Sequence, residues 1–347
     1  LISHFFRGWL WLTTGMVTKE WTAVHRKHHA RCETENDPHS PVVLGIAKVM
    51  WQGADLYKLE TKNTETLEKF GQGTPNDWLE RNIYTKHSVL GIVLMMVINL
   101  IAFGFIGVVI WAAQMAWIPF FAAGIINGIG HYWGYRSFQA EDASRNIVPW
   151  GILIGGEELH NNHHAYASSA RLSNKWWEFD IGWMYIRIME IFGFAQVKKV
   201  APKVALVPAK TACDQETLQA VITHRYDVLS RYARSLKQTC AEEILRLRAA
   251  HAMRIDRALV KRWLHSNEQQ LSTPEREHLR EVLRNSKVLD TVYSMRRELI
   301  ALWQRSSATK EQLLHQLEDW CHRAEASGIV ALQEFSIRLR SYRLVPA

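Results

Sequence analysis

Stretches almost free of charge alternate along this chain with stretches dense in it, and the alternation sets the expected elements. Residues 2–21 mix Phe5, Phe6, Trp9, Trp11 and Trp21 with single charges such as Arg7, Lys19 and Glu20. That mixture predicts a helix lying at a lipid surface or packed beneath one. Residues 33–41 are polar and carry two prolines, so they are expected to loop. Thr74-Pro75-Asn76-Asp77 predicts a helix start, with Thr74 as the cap and Pro75 at the first helical position. Residues 88–135 then contain no Asp, Glu, Lys or Arg. A spanning helix needs about 20 apolar residues. The stretch therefore predicts two membrane spans, with the turn at Ala112-Ala113-Gln114 beside Trp111 and Trp117. Residues 181–194 are apolar but interrupted by Arg187 and Glu190, as in an interfacial helix.

Beyond Lys198-Lys199, Pro202 and Pro208 the pattern changes. Residues 213–347 are helix-forming, charged in both signs and short of glycine. Ser272-Thr273-Pro274-Glu275 marks a helix start there, and Ser327-Gly328 a break. The expected organisation is all-α, with a membrane domain over residues 1–205 and a helical extension over 206–347.

Charge then assigns sides. The expected turn carries no Lys or Arg, whereas Lys58, Lys62, Lys69, Arg81 and Lys86 precede the apolar stretch and Arg136, Arg145, Arg171 and Lys175 follow it. The positive-inside rule places both flanks in the cytoplasm. The net charge of +8 suits an anionic membrane as well as nucleic acid. Cys32, Cys213, Cys240 and Cys321 form no C-x-x-C pair, which argues against a disulfide framework or an iron–sulfur cluster. No secretory signal is visible. The chain opens at Leu1 in mid-pattern, so a missing N-terminal piece is expected.

The candidate chemistry lies in two windows, His25-Arg26-Lys27-His28-His29 and His160-Asn161-Asn162-His163-His164. On a helix, His-x-x-His-His sets three imidazoles on one face. Two membrane crossings would return both windows to one aqueous side, as a composite metal site requires. Asn127 and His131 stand at i and i+4 at the end of the apolar stretch, where polar residues are costly and tend to be functional. His131 is thus a seventh candidate ligand. His4 and His39 are expected to pack or hydrogen-bond, and His224, His251, His265, His278, His315 and His322 lack ligand spacing. No H-E-x-x-H is present, and zinc takes only about four ligands. Several imidazoles on two irons would instead support the oxygen activation that an unactivated C–H bond demands.

In order and spacing, His25-Arg-Lys-His-His, Asn127-x-x-x-His131 and His160-Asn-Asn-His-His resemble the membrane fatty acid desaturases, most closely the bacterial Δ9 acyl-CoA and acyl-lipid group. Asp37-Pro38-His39 and Gly155-Gly156-Glu157-Glu158-Leu159 fit the same group, and the resemblance covers roughly residues 1–205. It implies a membrane-embedded helical core with histidine-box helices in the cytoplasm, at a bacterial inner membrane. It also implies two non-haem iron ions held by His25, His28, His29, His131, His160, His163 and His164, with Asn127 reaching one iron through a water. Glu157 and Glu158 become candidate acceptors of imidazole N–H groups, and Trp21 a wall of the acyl tunnel.

The implied reaction uses O₂ and two electrons to place a cis double bond in the acyl chain of a CoA ester or membrane lipid. The family's upstream H-x-x-x-x-H box and first pair of spans are not found before His25, which again suggests truncation. With no G-x-G-x-x-G and no haem-attachment motif, electrons are expected from a separate ferredoxin or reductase. Nucleic acid is not an expected partner. The segment around Trp320, Ala326-Ser-Gly-Ile329, Leu332 and Phe335 faintly resembles the helical tail of some transposases, without a catalytic carboxylate triplet. The alternatives are a membrane di-iron hydroxylase, and a non-catalytic membrane scaffold.

Overall fold

The computed structural model describes residues 2–251, 271–304 and 307–345, so His265 lies outside the described residues. Among the described residues, the regular elements are helical apart from four two-residue strands. The chain divides into two compact units, Leu1–Ala201 and Pro202–Ala347.

In the first unit, the single surface helix expected over residues 2–21 is two helices. Gly15, at φ 67°, ends α1 (Ile2–Thr14), and α2 (Thr18–Arg31) carries the first histidine window. A left-handed residue breaks the helix where the apolar pattern gave no sign of it. Short α3 (Pro41–Leu44) leads into α4 (Ile46–Glu60) and α5 (Thr64–Phe70). The next helical segment starts later than expected. Asp77, not Thr74, caps it by accepting from the Glu80 N–H at 3.1 Å, while the Thr74 hydroxyl donates to the Gly71 carbonyl at 2.8 Å. Arg7 fixes this entry, reaching Asp77 at 2.5 Å and Glu80 at 3.0 Å.

The apolar stretch forms α6 (Ser88–Phe103) and α7 (Phe105–Ile118), the latter continuing as π-helix over Pro119–Ile129. The turn is therefore at Gly104, at φ 60°, and not at Ala112–Gln114 as expected. Residues taken for an interfacial turn pair across the two helices instead. The Trp111 indole N–H donates to the Ile92 carbonyl at 3.0 Å, and the Asn99 amide donates to Gln114 at 3.3 Å. A Cβ at Gly107 would meet the Asn99 carbonyl oxygen at 2.0 Å, so these backbones touch. Phe105–Ile129, 25 residues with mean hydropathy 1.8, is the one described helix long and apolar enough to cross a membrane; α6 is shorter. Ile101, Phe103, Phe105 and Ile106 are exposed on these helices.

Loops then lead to α8 (His160–Ala165), the second window, in which every residue is buried. Strand β1 (Trp150–Gly151) pairs in parallel with β2 (Phe179–Asp180). Asp180 caps α9 (Ile181–Ile191), a helix with no buried residue that exposes Tyr185, Ile188 and Ile191.

The second unit begins just ahead of the expected 205/206 boundary, because β3 (Ala205–Leu206) pairs antiparallel with β4 (Tyr342–Arg343). Its helices are α10 (Gln215–Thr223), α11 (Arg225–His251), α12 (Thr273–Arg284), α13 (Lys287–Ala301), α14 (Lys310–Ala326) and α15 (Val330–Leu339). Ser272 N–H donates to the Glu275 carboxylate at 2.8 Å where α12 begins, and Gly328, at φ 72°, follows α14, as the sequence implied. The core of this unit closes around Tyr232, Trp320 and Phe335, whose rings meet edge to face. The Trp320 indole N–H donates to the Met295 carbonyl at 2.7 Å and the Tyr232 hydroxyl to the Val292 carbonyl at 2.6 Å, so burial strands neither group.

Candidate metal centre

Helical spacing on α2 puts His25, His28 and His29 along one stripe, and α8 does the same for His160, His163 and His164. His131 joins them because the π-helical segment ends just before it. The Gly130 N–H bonds the Ile125 and Ile126 carbonyls, and the chain then leaves the helix. Gly130 is required here, since a Cβ would lie 2.9 Å from the His160 ring.

The imidazoles assemble into two adjoining groups. Nε2 of His25 lies 3.1 Å from that of His163, Nε2 of His29 lies 2.8 Å from that of His163, and His25 and His29 are 3.2 Å apart. In the second group, Nε2 of His28 is 3.2 Å from that of His131 and 3.3 Å from that of His164, while His131 is 3.0 Å from His160. The His29 and His164 rings, 4.3 Å apart, join the groups.

Three ring nitrogens pointing at one another cannot all be satisfied by hydrogen bonds, because a neutral imidazole carries only one N–H. They can share a cation. The centroid of a triangle with these edges lies roughly 1.8 Å from each corner, just inside the ~2.0–2.1 Å of a metal–imidazole bond. Protonation also favours a metal. Burial, with crowding by neighbouring imidazoles, pushes His25 and His160 down to about 4 and His28 and His164 well below the ordinary imidazole value. Neutral rings leave their lone pairs free for a cation. The residues present thus fit a metal centre.

Carboxylates orient the second group. The Nδ1 of His28 bonds Asp37 at 2.9 Å and that of His164 bonds Asp142 at 2.9 Å; Nδ1 of His131 faces Glu33 at 3.3 Å. A carboxylate behind an imidazole fixes its tautomer and raises its basicity as a ligand. Sequence reading singled out none of the three carboxylates for this role. Glu33 and Asp37 carried only the signal of nearness to the first window, with Asp37 inside the quoted Asp37-Pro38-His39, and Asp142 carried none. Of the two predicted acceptors, Glu157 stands 3.6 Å from the His160 Nδ1. Glu158 makes no hydrogen bond to an imidazole among the described residues. Its Oε1 accepts from the N–H groups of Ile152, Leu153 and Ile154 at 3.1, 2.6 and 3.1 Å, in a tight turn where the Ile152 N–H also reaches the Trp150 carbonyl.

Other predicted residues fall as follows. Trp21, 46% exposed, stacks on His25 at 4.8 Å. Asn127 is half-buried on the π-helical segment and makes no direct hydrogen bond to the imidazoles among the described residues. His39 is buried 4.4 Å from the His28 ring with its Nε2 unpartnered, and His4 bonds Arg7. The two asparagines of the second window anchor it. Asn161 Oδ1 accepts from the Ser137 and Phe138 N–H groups, and the Asn162 amide donates to Glu178 at 2.7 Å.

Residues 1–183 match the family described as fatty acid desaturase, and residues 209–344 match a family described as transposase. Delta-9 acyl-lipid desaturase 1 of Arabidopsis thaliana is 33% identical over 180 residues, 51% of this chain and 57% of that protein. The sn-1 stearoyl-lipid 9-desaturase of Anabaena variabilis is 28% identical over 190 residues, covering 53% and 66%. An acyl-CoA 5-desaturase of Anemone leveillei is 31% identical over 189 residues, covering 53% and 56%. The chain thus spans little more than half the length of most of these relatives. No solved structure matches.

Proposed function

Because the chain belongs to the fatty acid desaturase family, we propose that its imidazole cluster holds a non-haem di-iron centre and that it introduces a cis double bond, at Δ9, into a saturated acyl chain. The observation that carries this reading is the pair of adjoining Nε2 groups, three imidazoles in one and four in the other. His25, His29 and His163 would hold one iron, and His28, His131, His160 and His164 the other, with Asn127 reaching in through a water. Bound there, the irons would supply the oxygen activation that an unactivated methylene requires, which no side chain can provide.

The chain's own residues do the rest. Asp37, Asp142 and Glu33 orient the His28, His164 and His131 rings of the four-imidazole group. Trp21, stacked on His25, offers an aromatic wall beside the three-imidazole group, where an acyl chain would lie. The apolar helices α6 and Phe105–Ile129 would seat the unit in a bacterial inner membrane, within reach of lipid acyl chains or acyl-CoA. The flanking Lys and Arg favour a cytoplasmic site. Electrons would come from a separate ferredoxin or reductase. The unit that matches the transposase family serves as a helical binding module outside the metal centre. Among its described residues no three His, Cys, Asp or Glu donors gather.

The test is the acyl profile of cells producing the chain or its His163→Ala variant. A new double bond that depends on His163 supports the reading. An inserted hydroxyl selects the hydroxylase instead, and an unchanged profile from a protein that holds iron removes both.

A further inference from the structure

The histidine stripe on α2 does not end at His29. His25, His28, His29 and Cys32 stand at i, i+3, i+4 and i+7, so the last position of one continuous helix face is a thiol. Cys32 closes the helix, and its Sγ lies 4.0 Å from the His28 Nε2 and 3.9 Å from the His131 Nδ1. One donor atom from each of His28, Cys32, His131 and His164 lies within 4.8 Å of every other. The three histidines are buried and Cys32 half-buried.

We propose that Cys32 makes the four-imidazole group a second kind of metal site, a Cys-His₃ pocket for a thiophilic divalent cation of the zinc class. The donor separations suit tetrahedral binding. With metal–nitrogen bonds of ~2.0–2.1 Å and metal–sulfur bonds of ~2.3 Å, tetrahedral angles put nitrogens about 3.3 Å apart and sulfur about 3.6 Å from nitrogen. The His28 Nε2 lies 3.2 and 3.3 Å from the Nε2 atoms of His131 and His164, as this geometry asks, and the sulfur, 4.0 Å from that same His28 nitrogen, needs to close on it by only a few tenths of an ångström. Binding takes the proton from the Cys32 thiol and releases it to solvent, with no change in oxidation state. A thiolate donor favours softer cations over iron held by nitrogen and oxygen alone. The same imidazoles therefore face two metals, and Cys32 decides how strongly the thiophilic one competes. This site overlaps the proposed iron centre but does not depend on desaturase activity.

Cobalt(II) alone is the probe, because a thiolate bound to it gives a charge-transfer band in the near ultraviolet that imidazoles do not. The full chain, its Cys32→Ser and Cys32→Ala variants and the His163→Ala variant would each be titrated with it. The expected result is a thiolate band in the wild type, retained in His163→Ala and lost in both cysteine variants, while the weaker visible bands of imidazole-bound cobalt persist. Zinc competition should show affinity falling at least about tenfold in Cys32→Ser, the lower end of what an outer partner of a ligand contributes. Persistent visible bands also show that the variants fold. A wild type that binds cobalt without the band overturns the proposal, as does a band unchanged in Cys32→Ser, which would place the thiolate at another cysteine.

Discussion

Replacing Asp37 by Asn changes almost no volume and removes one charge from behind His28. The two carboxylate oxygens accept three N–H groups. Oδ1 takes the His28 Nδ1–H at 2.9 Å and the His39 N–H at 3.1 Å, and Oδ2 takes the Glu33 N–H at 2.8 Å. An amide has one oxygen, so whichever way Asn turns, an N–H group meets an NH₂. Each hydrogen bond to a charged group contributes about 1.5–3 kcal/mol. If the whole of one such bond falls on the metal-bound state, at about 1.4 kcal/mol per tenfold, affinity drops roughly 10–100-fold. Glu158→Gln is the comparison, because that carboxylate holds the 152–154 turn and no imidazole. Its effect on affinity should stay within about threefold. Anaerobic ferrous titration against a competing chelator measures both. Wild-type affinity in Asp37→Asn, or an equal loss in Glu158→Gln, refutes the assignment of Asp37.

Gly107→Leu should force α6 and α7 apart at the Asn99 carbonyl and destabilise the first unit by about 1–3 kcal/mol or more; a thermal midpoint in detergent that does not fall would contradict the packing. Trp320→Ala should cost the second unit about 3–5 kcal/mol and leave iron per chain unchanged; loss of iron would make that unit part of the centre. His224 is fully buried with both ring nitrogens unpartnered, and burial lowers its pKa. The unfolded chain therefore takes up the proton first, and this residue's share of stability is lost as pH falls through about 6.5. His224→Phe should weaken that pH dependence in hydrogen exchange of α10, and an unchanged dependence would count against it.

Much of the site could be read because its chemistry is local. Three histidines at helical spacing need only a helix to share a face, and both windows form one. That they converge is a tertiary fact, but the matched spacing pointed to it. The carboxylates behind the rings were hidden for the opposite reason. Asp142 reaches His164 and Glu33 reaches His131 through loops whose paths no periodicity encodes. The turn was misplaced because a run without charge gives hydropathy no edge to find. There Trp111 and Gln114 suggested an interface, whereas the chain turns at Gly104, which takes up a positive φ. Glu158 stands beside Glu157 in the sequence yet turns its Oε1 to the 152–154 backbone, since adjacent residues in a turn point different ways.

The central claim is that seven imidazoles form one centre for two metals, and counting bound iron tests it most directly. Ferrous iron bound per chain would be measured anaerobically for the wild type, His163→Ala and His28→Ala. The account predicts two irons in the wild type, the weaker of them lost in His163→Ala and the tighter one weakened in His28→Ala. A wild type that binds no iron, or binding indifferent to both substitutions, would contradict it.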